Sequence, residues 1–172
     1  LDHNAPSNRI DLFAVVEHEI GHGLGFLSLV NTSTGAKAGG FDDAYMRNLE
    51  DHSLGLAWPA MSNVQRLSSM TDNGDLHWIG AAATARTGQF SSGVASGHFR
   101  MYAPTSFASG SSVSHWDTAL FPNELMEPNY VAGAAILVTD ELMTDIGWGP
   151  LNMNSRLHIL APCRLVDTRL AN

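Results

Sequence analysis

Two histidines spaced four residues apart, in the segment HEIGH (residues 18–22), place the strongest constraint on this sequence. The segment lies within LFAVVEHEIGHGLGF (residues 12–26), where Asp11 is a good helix N-cap and Gly25 suits a left-handed C-cap. Because four residues turn an α-helix by about 400°, both imidazoles lie on one face. The apolar residues are not confined to one side, so the sequence predicts a helix buried over most of its surface.

This spacing suits a zinc ion. His18 and His22 can both bind one Zn²⁺ at roughly 2.0–2.1 Å, and Glu19 points beside them. In a peptidase the metal polarises the peptide carbonyl and activates the water that attacks it, and a carboxylate carries the proton to the leaving nitrogen. The segment therefore predicts zinc as cofactor and Glu19 as general base.

The third zinc ligand is not fixed by the residues alone. In the pattern H-E-x-x-H-x-x-G-x-x-H, Gly25 fits, but the last position is Ser28, a poor zinc ligand. A thermolysin-like site would use a glutamate on a following helix, for which Glu50 is the candidate. The remaining candidates are His52, His77, His98 and His115.

Three segments together resemble a known family. HEIGHGLGF, followed by SHWDTALFPNELMEP and then DELMTDIGW, is similar to the leishmanolysin branch of the metzincin zinc metallopeptidases. The resemblance covers about residues 11–148 and implies that His115 is the third ligand. It also implies that Met126 is the Met-turn residue beneath the metal, with Gly25 supporting the site. Cys163 is the only cysteine, so the match is closer to secreted bacterial members than to the protozoan enzymes.

Composition restricts the partners. Acidic residues outnumber basic ones 17 to 9, for a net charge of −8, which argues against nucleic acid as a partner. The apolar stretches are interrupted too early for a transmembrane helix. The resemblance implies an extended polypeptide substrate and a location outside the cell, although the chain carries no signal peptide.

The expected fold is α+β, with 44% apolar residues available for a core. Residues 1–149 are expected to form the C-terminal, lower half of a metzincin-like domain, with a central active-site helix, short helices and long irregular loops. Only ten residues precede Asp11, so the N-terminal sheet, which pairs with substrate in that family, is expected to be largely absent. The missing half of the catalytic domain is then an expected partner. Residues 150–172 are interpreted as a linker and the start of a further β-rich module, with a boundary near Pro150.

Three local expectations concern the rest of the chain. MSNVQRLSSM predicts a helix opened by Ser62 or Asn63, and residues 139–147 a closing helix capped by Thr139 and stopped by Gly147. Asp117 is a candidate to orient a ligand imidazole, although a turn role is simpler. Tyr130 is a candidate oxyanion donor, although packing is simpler.

Three other hypotheses remain. One is a thermolysin-like zinc peptidase that uses Glu50. A second is a secreted binding or adhesion module that keeps zinc only for structure, in which case Glu19 has no chemical use. The third is that this piece is inert by itself even where its parent protein is active.

Overall fold

Residues 9–149 are described by the computed structural model, and they combine short helices with one small antiparallel sheet. The expected α+β class is confirmed. The linker, the further β-rich module, the boundary near Pro150 and Cys163 lie outside the described residues. Within them, the α-helices are α1 (Leu12–Gly23), α2 (Asn63–Ser69), α3 (Ala81–Thr84) and α4 (Thr139–Met143). The strands are β1 (Leu49–Asp51), β2 (Leu56–Ala57), β3 (Leu76–Trp78), β4 (Val94–Ala95) and β5 (His98–Arg100).

Helix α1 begins where its sequence predicts, and its C-cap lies one residue before the predicted Gly25. The Asp11 carboxylate accepts a hydrogen bond from the Phe13 amide at 2.8 Å, which caps the first turn. At the other end Leu24 is the C-cap, and Gly25 follows with a φ of +114° that few other residues adopt. The chain can therefore turn away immediately after the second histidine.

The expectation that α1 is buried on most sides is wrong. Leu12, Val16 and Ile20 are 74%, 46% and 53% exposed, and within the helix only Ala14 and Gly21 are buried. An apolar sequence pattern shows which side chains avoid water, but it does not show whether anything within the chain covers them. One face of the helix packs on the described domain, and an apolar face is left in solvent.

Residues 49–100 form a five-stranded sheet in the order β2-β1-β3-β5-β4, with every pairing antiparallel. The sequence did not predict this sheet. Its strands are only two or three residues long, so their alternation is too brief to be recognised in a sequence. The register pairs Glu50 with His77 and His77 with Arg100, which puts these three on one face.

The opposite face of the sheet carries the hydrophobic core. Trp78 contacts Tyr45, with ring centroids 4.8 Å apart, and Tyr45 contacts Phe26 at 5.5 Å, just beyond the end of α1. Trp116 contacts Phe26 at 5.4 Å and is fully buried, as are the other three. Large aromatic side chains therefore connect the sheet to the C-terminal end of the histidine helix.

Helix α2 has the predicted start. The Ser62 side chain accepts from the Gln65 amide, and the Gln65 side chain accepts from the Ser62 amide, which is a capping box. The buried Arg66 guanidinium donates to the carbonyl oxygens of Gly35 and Trp58, among others. This helix thereby orders the loop that follows the histidine helix.

The closing helix differs from the prediction at its start. Val138 is the N-cap, and Thr139 is the first helical residue, so Thr139 as the cap is wrong. Beyond α4 the chain continues as a wide turn, Thr144–Trp148, in which Gly147 has a φ of +114°. Asp145 accepts from the Trp78 indole at 3.0 Å and from the amide of Ala82 at 2.7 Å, which fastens this turn to the sheet and to α3. No helix among residues 9–149 is both long and apolar enough to cross a bilayer.

Candidate metal centre

Three imidazoles that are far apart in the sequence converge on one point. The Nε2 atoms of His18 and His22 are 3.1 Å apart, and the Nε2 atom of His115 lies 3.1 Å from the first and 3.2 Å from the second. His18 and His22 project from the same face of α1, as their four-residue spacing predicts. His115 arrives from a loop 93 residues after His22.

The other ring nitrogen of each histidine determines where its proton is. Nδ1 of His18 lies 2.9 Å from the Leu125 carbonyl, Nδ1 of His22 lies 2.9 Å from the Phe26 carbonyl, and Nδ1 of His115 lies 2.8 Å from the Ser111 carbonyl. Since a carbonyl oxygen can only accept, each Nδ1 carries the hydrogen and donates it. A neutral ring then has a bare Nε2, so the short contacts between the Nε2 atoms are not hydrogen bonds.

Three lone pairs therefore face one another, an arrangement that a cation stabilises. Two nitrogens that bind one zinc at about 2.0–2.1 Å with tetrahedral angles lie roughly 3.3–3.4 Å apart. The observed separations of 3.1–3.2 Å correspond to ligand angles slightly below tetrahedral. Backbone carbonyls that accept from Nδ1 are also the usual outer partners of zinc-bound histidines. The donor set fits zinc.

Burial keeps His115 in the form that a metal requires. Desolvation, with a smaller contribution from the neighbouring rings of His22 and His18, lowers the pKa of its imidazole to about 4. The hydrogen bond that His115 Nδ1 donates to the Ser111 carbonyl acts in the opposite direction and does not outweigh burial. At neutral pH the His115 ring is therefore uncharged, and its Nε2 lone pair is available.

Main-chain pairing with the sheet and the following turn positions His115. Its carbonyl accepts from the Tyr102 amide at 2.9 Å, and the next residue, Trp116, donates its amide to the Met126 carbonyl at 3.0 Å. The Trp116 side chain is fully buried in the aromatic core. Main-chain hydrogen bonds at His115 and at the next residue therefore fix the position of this histidine.

Met126 lies beneath the histidine helix. It is fully buried, and its side chain packs against α1 at Gly21, between the two histidines in sequence. The preceding residue, Leu125, supplies the carbonyl that accepts from His18. One short turn therefore both supports the helix and orients one of its imidazoles.

Glu124 organises this turn, a role that the sequence did not reveal. Its buried carboxylate accepts from the backbone amides of Met126, Val138 and Thr139, and also from the Leu137 amide and the Thr139 hydroxyl. A carboxylate that receives this many hydrogen bonds is well satisfied without a counter-charge. The partners lie up to 15 residues away, so nothing in the local sequence marks Glu124 as different from other acidic residues.

Glu19 lies beside the histidines with its side chain exposed. Together with His18 it lines a cavity between α1 and the loop that follows Met126. Burial raises the pKa of Glu127, a second carboxyl in the same cavity, and the charges of Glu124 and Asp117 raise it further. A second hollow lies on the other side of the centre, lined by His22, Asp43 and Trp148 among others.

Several other candidate residues lie elsewhere. Glu50 groups with His52 and His77 on the sheet, and Asp117 pairs with Arg100 at 2.9 Å. None of the three Nδ1 atoms donates to Asp117, so it does not orient a ligand ring as suggested. Ser28 contacts Asp43 at 3.4 Å.

Tyr130 lines the same cavity as Glu19. Its side chain is 42% exposed, and its hydroxyl oxygen accepts from the Asp11 amide at 3.2 Å.

Comparisons with known proteins give no relative: no family model, curated protein or solved structure matches the chain.

Proposed function

We propose that this protein is a zinc-dependent endopeptidase of the leishmanolysin-like metzincin type. His18, His22 and His115 are the zinc ligands, Glu19 is the general base, and Met126 with Gly25 supports the site. The observation that carries the proposal is the convergence of three Nε2 atoms within 3.1–3.2 Å of one another, while each Nδ1 faces a backbone carbonyl. A structural hydrogen-bond network would not leave three acceptors facing each other.

The arrangement leaves one side of the histidine triangle to substrate and water. When bound, zinc would supply a Lewis acid that polarises the scissile carbonyl and lowers the pKa of water. Glu19 follows His18 directly and lines the adjacent cavity, so its carboxylate is placed to accept a proton from water there. The same carboxyl then donates that proton to the leaving nitrogen.

The neighbouring hollows favour a peptide as the substrate. One lies on the His18 side and the other on the His22 side, so a chain that crosses the centre has room for side chains in both directions. Apolar groups line both hollows, including Val131 and Leu125 in the first and Leu27 in the second. We therefore propose an extended polypeptide, cleaved internally and outside the cell, as the substrate.

The order of elements supports the metzincin assignment. A histidine helix is followed by a glycine turn, then by a distant third histidine, a methionine turn under the helix and a closing helix. A thermolysin-like centre with Glu50 as ligand has no such support, because Glu50 belongs to a different cluster.

Glu19→Gln tests the chemistry separately from metal binding. The variant keeps the size of the side chain and all three histidines, so its zinc content should equal that of the wild type. Peptide hydrolysis, measured as kcat/KM on a quenched-fluorescence peptide library, should fall by a factor of roughly 10²–10⁴. Unchanged hydrolysis would exclude Glu19 as the base, and zinc binding without any hydrolysis by the wild type would favour a structural zinc in a binding module.

A further inference from the structure

A second group of metal-binding side chains lies on the outer face of the sheet, away from the aromatic core. Glu50 of β1 is directly opposite His77 of β3, and His52 follows Glu50 by two residues and so returns to the same face. One potential ligand atom from each of these three residues lies within 4.8 Å of the others.

His77 provides the observation that points to a ligand. Its side chain is fully buried, and its Nε2 lies 3.0 Å from the Gly74 carbonyl, to which it donates. Nδ1 is then a bare acceptor, and it is buried with no hydrogen-bond partner among the described residues. A buried acceptor without a partner destabilises the folded state, so such an atom in a histidine-rich cluster indicates a ligand.

The neighbours complete a set of donors. The His52 ring stacks on the His77 ring with centroids 5.1 Å apart, and His52 Nδ1 lies 3.2 Å from Glu50 Oε1. Ser96 Oγ, 2.9 Å from His52 Nε2, fixes the orientation of that ring. His98 lies beside His77, with ring centroids 6.2 Å apart, and its Nδ1 is likewise buried with no partner in the described part of the chain.

Arg100, whose backbone is paired with His77 in the sheet, does not place its positive charge between the three side chains. It pairs with His77 across β3 and β5, but its Nη2 atom is 2.9 Å from Asp117 and forms an ion pair there. The sheet face thus gathers imidazole nitrogens and one carboxylate.

We propose that Glu50, His52 and His77 form a second metal site, which takes a divalent transition cation of the zinc class, with His98 as its adjoining fourth donor. Two or three imidazoles with one carboxylate suit zinc and its neighbours, whereas calcium and magnesium prefer all-oxygen sites. Because Glu50 belongs to β1, His77 to β3 and His98 to β5, the ion would join three strands of the sheet. The site is independent of the proposed peptidase centre and stands if that function fails.

Zinc titration of the whole protein tests the proposal, with bound metal counted after gel filtration. The wild type should bind two equivalents of zinc. His22→Ala, which disables the centre formed by His18, His22 and His115 (the helix centre), should still bind one. Glu50→Gln and His52→Ala should each lose one equivalent or weaken it at least tenfold. Both positions are partly exposed, with side chains 22% and 46% accessible, so folding should be retained.

Glu141→Gln is the matched control. The Glu141 carboxylate is similarly exposed at 26% and also pairs with a basic side chain, Arg86, at 3.2 Å, but it belongs to neither histidine group. The Glu141→Gln variant should keep two equivalents of bound zinc. Loss of all bound zinc in His22→Ala, or stoichiometry and affinity unchanged from the wild type in Glu50→Gln and His52→Ala, would overturn the second site.

Discussion

The sulfur of Met126 lies 2.7 Å from the position that a β-carbon on Gly21 would occupy. Gly21 stands between the two histidines of α1, so the helix and the methionine turn approach as closely as a residue without a side chain permits. The separation of the turn from the imidazoles therefore depends on this contact.

Gly21→Ala should destabilise the protein by about 1–2 kcal/mol, because overpacking against the buried Met126 outweighs the gain in helix propensity. Gly23→Ala is the matched control, since a β-carbon there meets nothing within 4 Å. It should be neutral or stabilise the helix by up to about 0.5 kcal/mol. Urea denaturation of both variants measures the difference, and equal effects at the two positions would contradict the close contact.

Glu124→Gln should destabilise the fold by roughly 2–4 kcal/mol, because an amide group would face backbone donors that now bind a carboxylate. Since Glu124 also holds the Met126 amide, zinc affinity should fall as well. Thermal unfolding and zinc titration measure the two effects. Glu141→Gln, at a partly exposed position, should change neither the stability nor the zinc-binding free energy by more than about 0.5 kcal/mol. A Glu124→Gln variant as stable as the wild type would show that these hydrogen bonds do not hold the turn.

Glu127→Gln should stabilise the protein more at high pH than at low pH. Burial raises the folded-state pKa of Glu127 above its usual 4.5, so the folded state holds a proton that the unfolded state has released. That contribution to stability is fully present below pH 4.5 and is lost as the pH rises through the raised pKa. Glutamine cannot ionise and keeps an oxygen for the Glu124 amide, which now donates to Glu127 at 2.8 Å.

Melting temperatures of Glu127→Gln and the wild type at pH 4 and pH 8 measure this effect, because the difference between the two proteins cancels other titrating groups. The melting temperature of the variant should increase relative to that of the wild type as the pH rises. A difference that is constant with pH, or that shrinks as the pH rises, would contradict burial of this carboxyl.

The histidine pair was predictable because both residues and their geometry belong to one helix. Their spacing, the Asp11 cap and the Gly25 turn are all local, and each lies where the sequence places it. His115 follows from resemblance rather than from spacing, since 93 residues separate it from His22 and other histidines intervene.

Glu124 and the sheet could not be predicted in the same way. Glu124 is important because of partners 13 to 15 residues away, which a local pattern does not contain. The short strands pair through the main chain, so their register, and with it the cluster of Glu50 and His77, depends on tertiary structure. The exposed face of α1 was misjudged because apolar residues predict burial in general, not burial within the described residues.

His115→Ala should lower the affinity of the helix centre for zinc at least a hundredfold, because only two ligands remain. Glu50→Ala should leave the affinity of that centre unchanged, since Glu50 belongs to the sheet cluster. Competition titrations in the His52→Ala background, which removes the second proposed site, measure the helix centre alone. A loss of zinc affinity in Glu50→Ala but not in His115→Ala would instead favour a thermolysin-like site with Glu50 as the third ligand.

Anomalous diffraction at the zinc edge, from crystals of the zinc-loaded protein, tests the central claim most directly. We expect a peak in bonding contact with the Nε2 atoms of His18, His22 and His115 together, at roughly 2.0–2.1 Å from each. Absence of a peak among these three atoms in a zinc-loaded crystal, or a peak that contacts only two of them, would contradict the proposed centre.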